Sequence, residues 1–380
     1  MKRYLKVLAL ALLLIFSVSL PALALNIDCS AAILIDAESG RILYQENAHE
    51  SLPVASTTKI LSTLVALEHY RNLDEEVTVP ADYVNPGEAS IWLEPGETLT
   101  VRDLLYAMML RSANDAAEVL AIHTAGSIEG FSELMNDKTA ELGLGDSLWS
   151  NPNGLSDVEH YSSAYDLAMI TRAAFEHEVF KTIISTEKYT MPWAGHDYDR
   201  VVNNTNEFLT RYMGADGVKT GTTTSAGQCL VASVTRDGMC LIGVVLNSQD
   251  RYADMTTLMD YGFNNFEQVK AGSSGDVIET VNVKKGRRNN VSIVLRDDVR
   301  LIVEEGHADA VSTTINLPKT LETPIERSTA VGTVVYTDDA GNQYTYELYP
   351  AISLERYTFG LVMEQVWDRI WSVWLDKPAA

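Results

Sequence analysis

Pro53-Val54-Ala55-Ser56-Thr57-Thr58-Lys59 begins an amphipathic helix and carries the pattern that decides the fold. The apolar residues from Ile60 to Leu67 continue it at helical spacing. Residues three apart on a helix share a face, so Lys59 can reach the Ser56 hydroxyl. A serine hydroxyl is a poor nucleophile until a base takes its proton, and a neutral lysine can be that base. The stretch therefore predicts a nucleophile and its base on one helix.

A second segment, Ser112-Ala113-Asn114, lies where a loop is predicted to enter a helix. In non-helical backbone a one-residue gap lets two side chains point the same way. Ser112 could then pass a proton between a lysine and a leaving group, while Asn114 binds a substrate amide. Taken alone, either residue could instead be a helix N-cap.

A third segment, Lys219-Thr220-Gly221-Thr222, alternates like a strand. Lys219 and Thr220 could hold a carboxylate, one by charge and one by its hydroxyl. Gly221 would let a ligand or another backbone come close, and a peptide could add along such a strand edge. The backbone N–H groups of Ser56 and Thr222 are candidates for an oxyanion hole. The alternative is a basic residue on an exposed strand.

Composition and the remaining motifs exclude several other functions. The chain of 380 residues carries a formal charge of −23, which argues against binding to nucleic acid. Its seven histidines show no zinc spacing, and it has no GxSxG, Walker or GxGxxG motif. We expect no metal and no cofactor. The three cysteines cannot all pair within one chain, and we expect all of them to be buried thiols.

The first 24 residues read as a signal peptide. Lys2, Arg3 and Lys6 precede an apolar stretch from Val7 to Leu20, and Ala22-Leu23-Ala24 forms a cleavage site. We therefore predict export, with a retained membrane span as the alternative reading. Without this segment the formal charge would be about −26.

The rest of the chain divides into three predicted regions. Residues 25–266 mix helices with strands at both ends, which predicts an α+β domain on a mainly antiparallel sheet. Residues 267–355 are short β-rich runs separated by turns, which predict a small β-sandwich. It contains no catalytic constellation, so we expect a spacer or interaction role for it.

The last region, residues 356–380, returns to helical periodicity. Apolar residues repeat along one face from Tyr357 to Leu375, and three tryptophans fall within this stretch. The charged residues on the other face rule out a comfortable span, so we predict an amphipathic helix lying in the membrane interface. A helix docked on the β-rich domain is the alternative.

These segments resemble the serine-type D-alanyl-D-alanine carboxypeptidases, the low-molecular-mass penicillin-binding proteins. The similarity extends beyond the three short motifs and covers the catalytic domain. The blocks that carry it are Ala31-Ala32-Ile33-Leu34-Ile35-Asp36, Pro53-Val54-Ala55-Ser56-Thr57-Thr58-Lys59, Ser112-Ala113-Asn114-Asp115-Ala116, Asn151-Pro152-Asn153-Gly154-Leu155 and Asp216-Gly217-Val218-Lys219-Thr220-Gly221. The β-rich region and amphipathic tail match the family's usual architecture. The resemblance implies a penicillin-binding/β-lactamase-like transpeptidase domain.

The resemblance also implies a reaction. Ser56 would attack the bond between the two terminal D-alanines of a peptidoglycan stem peptide, and water would hydrolyse the acyl-enzyme. β-Lactam antibiotics would trap the same serine. The family's roles carry over as Lys59 base, Ser112 relay, Asn114 amide contact, and Lys219 with Thr220 for the carboxylate. Arg251 is a weaker carboxylate candidate, with a plain surface arginine as the alternative.

Two departures from the family pattern stand near the third motif. Asn204-Thr205-Asn206 has threonine where some members have arginine, and Thr222 stands where several have histidine. The nearest alternative functions are a β-lactamase or a D,D-endopeptidase, and a more distant one is a non-enzymatic wall-binding protein. A β-lactamase needs fast deacylation, and the chain shows no convincing Glu-x-x-x-Asn segment between Ser112 and Lys219.

Overall fold

The computed structural model describes residues 25–85, 87–155, 158–358, 360, 363 and 366–371. The predicted signal peptide lies outside these residues, as does much of the predicted tail helix. The expectations for both segments therefore remain predictions.

The first domain contains nine strands and eight helices within the described residues. The strands are β1 (Ala31–Asp36), β2 (Ile42–Glu46), β3 (Glu76–Thr78), β4 (Thr98–Thr100), β5 (Lys188–Met191), β6 (Arg200–Asn203), β7 (Ala215–Thr223), β8 (Gly227–Arg236) and β9 (Met239–Ser248). The helices are α1 (Lys59–His69), α2 (Val101–Leu110), α3 (Asn114–Ala125), α4 (Ile128–Glu141), α5 (Ala164–Ala174), α6 (Glu178–Ser185), α7 (Phe208–Arg211) and α8 (Arg251–Asn265).

Five strands form the central antiparallel sheet in the order β2-β1-β9-β8-β7. All six residues of β1 are buried because helices cover both faces of the sheet. One apolar core joins the sheet to α1, α2, α3 and α5, and a second lies between the sheet and α8. The expected α+β domain on an antiparallel sheet is confirmed.

Helix α1 is buried far more completely than an amphipathic helix requires. Every residue from Lys59 to Leu67 is buried, including its polar ones. The Ser62 hydroxyl donates to the Pro152 carbonyl at 2.6 Å and that of Thr63 to the Lys59 carbonyl at 2.7 Å. Because these hydroxyls are satisfied inside the protein, the helix can run through the middle of the domain.

The second domain is a β structure with its own apolar core. Its strands are β10 (Phe266–Gly272), β11 (Val277–Lys284), β12 (Asn290–Val294), β13 (Val299–Glu304), β14 (Ser312–Asn316), β15 (Thr320–Glu322), β16 (Gly332–Thr337) and β17 (Gln343–Pro350). Six of them form one sheet in the order β14-β16-β17-β12-β11-β15, and β10 pairs with β13. The expected β-rich C-terminal domain is confirmed.

Arg41 joins the two domains. Its side chain is buried and lies 3.1 Å from Asp338 Oδ2 and 2.7 Å from Asp339 Oδ1. It also donates to the Ile302 carbonyl and lies over the Phe266 ring. A cation from the turn before β2 is therefore neutralised by two carboxylates of the second domain.

The cysteines agree with expectation only in part. Cys229 is buried, but Cys29 and Cys240 are partly exposed, so the prediction that all three are buried is wrong for those two. Cys229 pairs across the sheet with Gly221, and Cys240 pairs with Thr235. Cys229 and Cys240 are therefore not opposite each other in the β8–β9 pair, and all three cysteines are free.

Near the chain end, the described residues 366–371 are helical. Val366, Trp367, Ile370 and Trp371 are all exposed there. Within the described part of the chain, no helix has both the length and the apolar character needed to cross a membrane.

Candidate active site

Ser56 lies in a short 3-10 turn, Ala55–Thr58, that leads directly into α1. The side-chain hydroxyls of Thr57 and Thr58 stabilise this turn. They donate to the carbonyls of Val54 and Ala55 at 2.7 Å and 2.8 Å, respectively. From Val54 to Leu67, Ser56 is the single residue that is not buried. The turn therefore presents the serine to solvent from an otherwise buried segment.

Two glycines allow neighbouring segments to approach this turn. A Cβ on Gly221 of β7 would lie 2.9 Å from the Val54 carbonyl oxygen and 3.1 Å from the Ser56 nitrogen. A Cβ on Gly154 would lie 2.0 Å from the Ala55 carbonyl oxygen. The close approach expected of Gly221 is therefore present. It brings β7, which carries Lys219-Thr220-Gly221 and is called the KTG strand below, against the Ser56 backbone.

Lys59 is fully buried and lies within hydrogen-bonding distance of three oxygens. Its Nζ is 3.0 Å from Ser56 Oγ, 2.8 Å from Asn114 Oδ1 and 2.5 Å from the Asn153 carbonyl. Burial lowers the pKa of Lys59 well below its ordinary value, and the positive charge of Lys219 lowers it further. The predicted serine–lysine contact is therefore made, in surroundings that favour a neutral lysine.

Asn114 is the first residue of α3, and its side chain bridges two elements. Its Oδ1 accepts from Lys59, while its Nδ2 donates to the Glu88 carbonyl at 3.2 Å. Ser112 stands two residues earlier with a left-handed φ of 63°. The N-cap position belongs to Ala113, so the alternative that Ser112 or Asn114 caps this helix is wrong. Asn114 belongs to the cluster around Lys59.

Lys219 is buried in β7, and its Nζ donates to the Thr220 carbonyl at 3.1 Å. Burial lowers the pKa of Lys219 to about 7, and the nearby positive charge of Arg251 contributes to this shift. Thr220 is partly exposed and Thr222 is exposed, so both can meet a ligand along this strand. Because its pKa is about 7, Lys219 can exchange a proton near neutral pH.

Arg251 begins α8 and is tied to β7 and β8. It donates to the carbonyls of Gly221 and Cys229 at 2.9 Å and 3.0 Å, and to Thr222 Oγ1 at 2.5 Å. Gln228 Oε1 accepts from its Nε at 3.1 Å. A plain surface arginine does not describe this residue, because four hydrogen bonds fix it beside the KTG strand.

Two residues of the site, Asn153 and Glu118, were not predicted from the sequence as part of the catalytic machinery. Asn153 supplies the carbonyl that receives Lys59, and its Nδ2 donates to Glu118 Oε1 at 2.7 Å. The Asn151–Leu155 block was the available signal for Asn153. Glu118 gave no comparable signal, since its partner is 35 residues away along the chain.

Among the described residues, one group has metal-ligating geometry, and it lies in the second domain. It consists of Glu304, His307 and Asp339. The Asp339 carboxylate there already accepts from Arg41 and from the Glu304 backbone. This group is therefore part of the domain junction and not of the serine site.

A serine paired with a buried lysine, beside an SxN asparagine and a KTG strand, defines the class of penicillin-interacting serine acyl enzymes. Residues 16–250 match the family described as D-alanyl-D-alanine carboxypeptidase. Residues 266–356 match the family described as penicillin-binding protein 5, C-terminal domain. The chain belongs to the D-alanyl-D-alanine carboxypeptidase family.

Individual relatives cover nearly the same span. D-alanyl-D-alanine carboxypeptidase DacF of Bacillus subtilis is 32% identical over 321 residues, 82% of either chain. DacC of Escherichia coli is 31% identical over 90% of this chain and 88% of its own length. The solved structure of penicillin binding protein 5 from Haemophilus influenzae covers 87% of this chain and 98% of its own, with a TM-score of 0.71 and 29% identity.

Proposed function

We propose that this protein is a serine D,D-carboxypeptidase that removes the terminal D-alanine from peptidoglycan stem pentapeptides through an acyl-enzyme. The observation that carries this proposal is the fully buried Lys59 Nζ at 3.0 Å from the Ser56 hydroxyl. The family membership and the named relatives supply the reaction class.

Acylation begins with a neutral Lys59 removing the proton from Ser56. The freed oxygen attacks the carbonyl carbon of the penultimate D-alanine, and the negative charge moves to the carbonyl oxygen. The backbone N–H groups of Ser56 and Thr222 would stabilise that oxyanion. Ser112 would then relay the proton to the departing amine as the peptide bond breaks. Hydrolysis of the resulting ester by water regenerates Ser56.

The strand beside the serine would orient the substrate. Lys219 and Thr220 would bind the terminal carboxylate, and Arg251 adds positive charge next to them. Asn114 would bind the amide of the acyl portion. β-Lactam antibiotics present a comparable carboxylate and a strained amide, so we expect them to acylate Ser56.

The test of this proposal is release of free D-alanine from a pentapeptide that ends in D-Ala-D-Ala. We expect release by the wild-type protein and none by Ser56→Ala, because the substitution removes the nucleophile. Equal release by the two proteins would refute the assignment.

Intact mass spectrometry after addition of benzylpenicillin separates this function from a β-lactamase. We expect a long-lived adduct on the wild-type protein and none on Ser56→Ala. An adduct that disappears within seconds, with turnover of the antibiotic, would contradict the carboxypeptidase assignment.

We also propose that the protein acts outside the cytoplasm, at the outer face of the cytoplasmic membrane. A peptidoglycan substrate and the basic-then-apolar segment of residues 1–24 support export. The exposed side chains of Trp367, Ile370 and Trp371 support peripheral attachment through the tail. An apolar face that stays solvent-exposed in the protein is suited to a membrane interface.

A further inference from the structure

A hydrogen-bonded chain links Lys59 to a carboxylate that the reaction does not otherwise use. The Asn153 carbonyl accepts from Lys59 Nζ at 2.5 Å, and Asn153 Nδ2 donates to Glu118 Oε1 at 2.7 Å. The Tyr83 hydroxyl donates to the other oxygen of Glu118 at 3.0 Å. Glu118 lies on α3, one helical turn beyond Asn114.

We propose that Glu118 is a positioning residue for acylation, holding the Asn153 carbonyl on Lys59 and placing a negative charge close to this lysine. The inference rests on the proposed function, because it concerns the step in which Lys59 takes the Ser56 proton.

The anchoring of Asn153 supports the positioning part of this role. Asn153 is buried, and its Oδ1 accepts from the Leu155 backbone at 2.9 Å. Its own backbone N–H donates to Asn151 Oδ1 at 3.3 Å. Glu118 Oε1 accepts a hydrogen bond from the side-chain amide of Asn153. Without that acceptor, the Asn153 side chain would lose its hydrogen bond to α3. The Asn153 carbonyl that accepts from Lys59 would then be held less firmly in place.

The charges around Lys59 support the electrostatic part. Lys219 approaches from β7 and lowers the pKa of Lys59, whereas Glu118 and then Asp115, both on α3, raise it. Asp115 is committed elsewhere, since it accepts from Ser90 and from the backbone of the loop that precedes β4. A base whose pKa falls too far takes a proton poorly, so Glu118 offsets part of the effect of Lys219.

Glu118 is suited to carry a negative charge at this position. Burial raises the pKa of its carboxyl group, and hydrogen bonds from Tyr83 and Asn153 with the charge of Lys59 offset only part of this rise. Both oxygens accept a hydrogen bond, as an ionised carboxylate does.

The test is the pH dependence of acylation in Glu118→Gln. The second-order rate of acylation by a fluorescent penicillin is measured by stopped flow from pH 5 to pH 9. Removing the negative charge lowers the pKa of Lys59, so we expect the acid limb to move to lower pH by about one unit. We also expect a several-fold lower plateau, because the base is weaker. A profile with its acid limb at the wild-type pH would overturn the proposal.

Two control variants separate charge from packing. Glu133→Gln removes the same charge from an exposed position of α4, and Tyr83→Phe removes a donor while Glu118 keeps its charge. We expect the acid limb of both to stay at the wild-type pH. A shift as large as that of Glu118→Gln in either control would also overturn the proposal.

Failure of Glu118→Gln to fold leaves Glu118→Asp as the deciding variant. It keeps the charge but withdraws it by one methylene from Asn153, so we expect a lower plateau with little movement of the limb. An unchanged plateau would contradict the positioning role. A wild-type protein that forms no adduct at all would instead refute the proposed function, which keeps the two failures distinct.

Discussion

Lys59 and Lys219 are two buried lysines with opposite requirements for charge. Lys59 is a base only when it is neutral, and burial together with Lys219 lowers its pKa. Lys219 binds a carboxylate only when it is protonated, and burial lowers its pKa to about 7. Activity should therefore be confined to a window in which the first lysine is neutral and the second is charged.

We predict a bell-shaped pH profile for kcat/KM in D-alanine release. The rate falls as pH drops through the pKa of Lys59, and it falls again as pH rises above about 7 and Lys219 loses its proton. The basic limb should be weaker in kcat, since a bound carboxylate raises the pKa of Lys219. The measurement is initial rate against pentapeptide concentration at each pH.

Lys219→Arg is the matched variant for this profile, because arginine stays protonated throughout the range. Its rate should be lower, but its basic limb should disappear. A basic limb that persists unchanged in Lys219→Arg would show that another group titrates there.

The sequence predicted the reacting residues Ser56 and Lys59, but it did not predict the residues Asn153 and Glu118 that hold Lys59 in place. Ser56 and Lys59 share one helical turn, so their contact follows from spacing alone. The acceptor that holds Lys59 is a backbone carbonyl of Asn153, which any residue type could supply. Glu118 meets Asn153 only through tertiary packing, and no local pattern encodes that contact.

At the level of elements, the turn that carries Ser56 depends on the loop packed against it. Gly154 has a φ of 82°, and a Cβ there would lie 2.0 Å from the Ala55 carbonyl oxygen and 2.8 Å from Thr58 Oγ1. Ala55 itself has a left-handed φ of 49°. The serine turn therefore contains one strained residue, Ala55, and packs closely against the loop at Gly154.

We predict that Gly154→Ala slows acylation by at least about tenfold, because a displacement near 1 Å at a reacting centre can cost about a hundredfold. The substitution should also lower the free energy of unfolding by about 1–3 kcal/mol. The measurements are the rate of labelling by a fluorescent penicillin and a thermal melt.

Gly145→Ala is the control for this change, since a Cβ at Gly145 meets nothing within 4 Å. It should leave both the labelling rate and the melting temperature near their wild-type values. Equal behaviour of the two alanine variants would contradict the proposed dependence of the serine turn on Gly154.

Most elements were predicted from the sequence because their periodicity is long and regular. The strand expected at Lys219-Thr220-Gly221-Thr222 lies within β7, and the helix expected through Ile60 to Leu67 is α1. Strands β3 to β6 have three or four residues each, too few for a period-2 pattern to stand out. Helix α8 was not predicted, although Asp250 caps it.

For the whole molecule, the contact of Arg41 with Asp338 and Asp339 is a buried electrostatic link between the domains. Removing one side of a buried ion pair leaves the other charge without a partner. Arg41 lies outside the serine site, so the link can be tested without disturbing the chemistry.

We predict that Arg41→Ala destabilises the protein by about 3–5 kcal/mol while its acylation rate at 25 °C stays near the wild-type value. Calorimetry and penicillin labelling measure the two effects. Arg287→Ala, at an exposed position of the second domain, should leave both unchanged. If Arg41→Ala melted at the wild-type temperature, the contact of Arg41 with Asp338 and Asp339 would not contribute to the stability of the protein.

Deleting residues from Tyr357 onward should release the protein from lipid vesicles without abolishing acylation, because the exposed tryptophans are removed and the site is not. Flotation with phosphatidylglycerol–phosphatidylcholine vesicles, followed by penicillin labelling, measures both properties. A truncated protein that still floats with vesicles would contradict attachment through the tail.

The position of β1 in the central sheet has a consequence for the order in which the domain assembles. One edge of β1 pairs with β2 nearby in the sequence, but Ala31 on its other edge pairs with Leu246 of β9, more than two hundred residues later. Such long-range pairing is slow because the chain loses entropy in closing a large loop before any stabilising contact forms. The segment with Ser56 is synthesised early, but β7 joins this sheet only through β8 and β9. A chain whose central sheet has not closed therefore carries the nucleophile without its carboxylate site, and we expect it to be inactive.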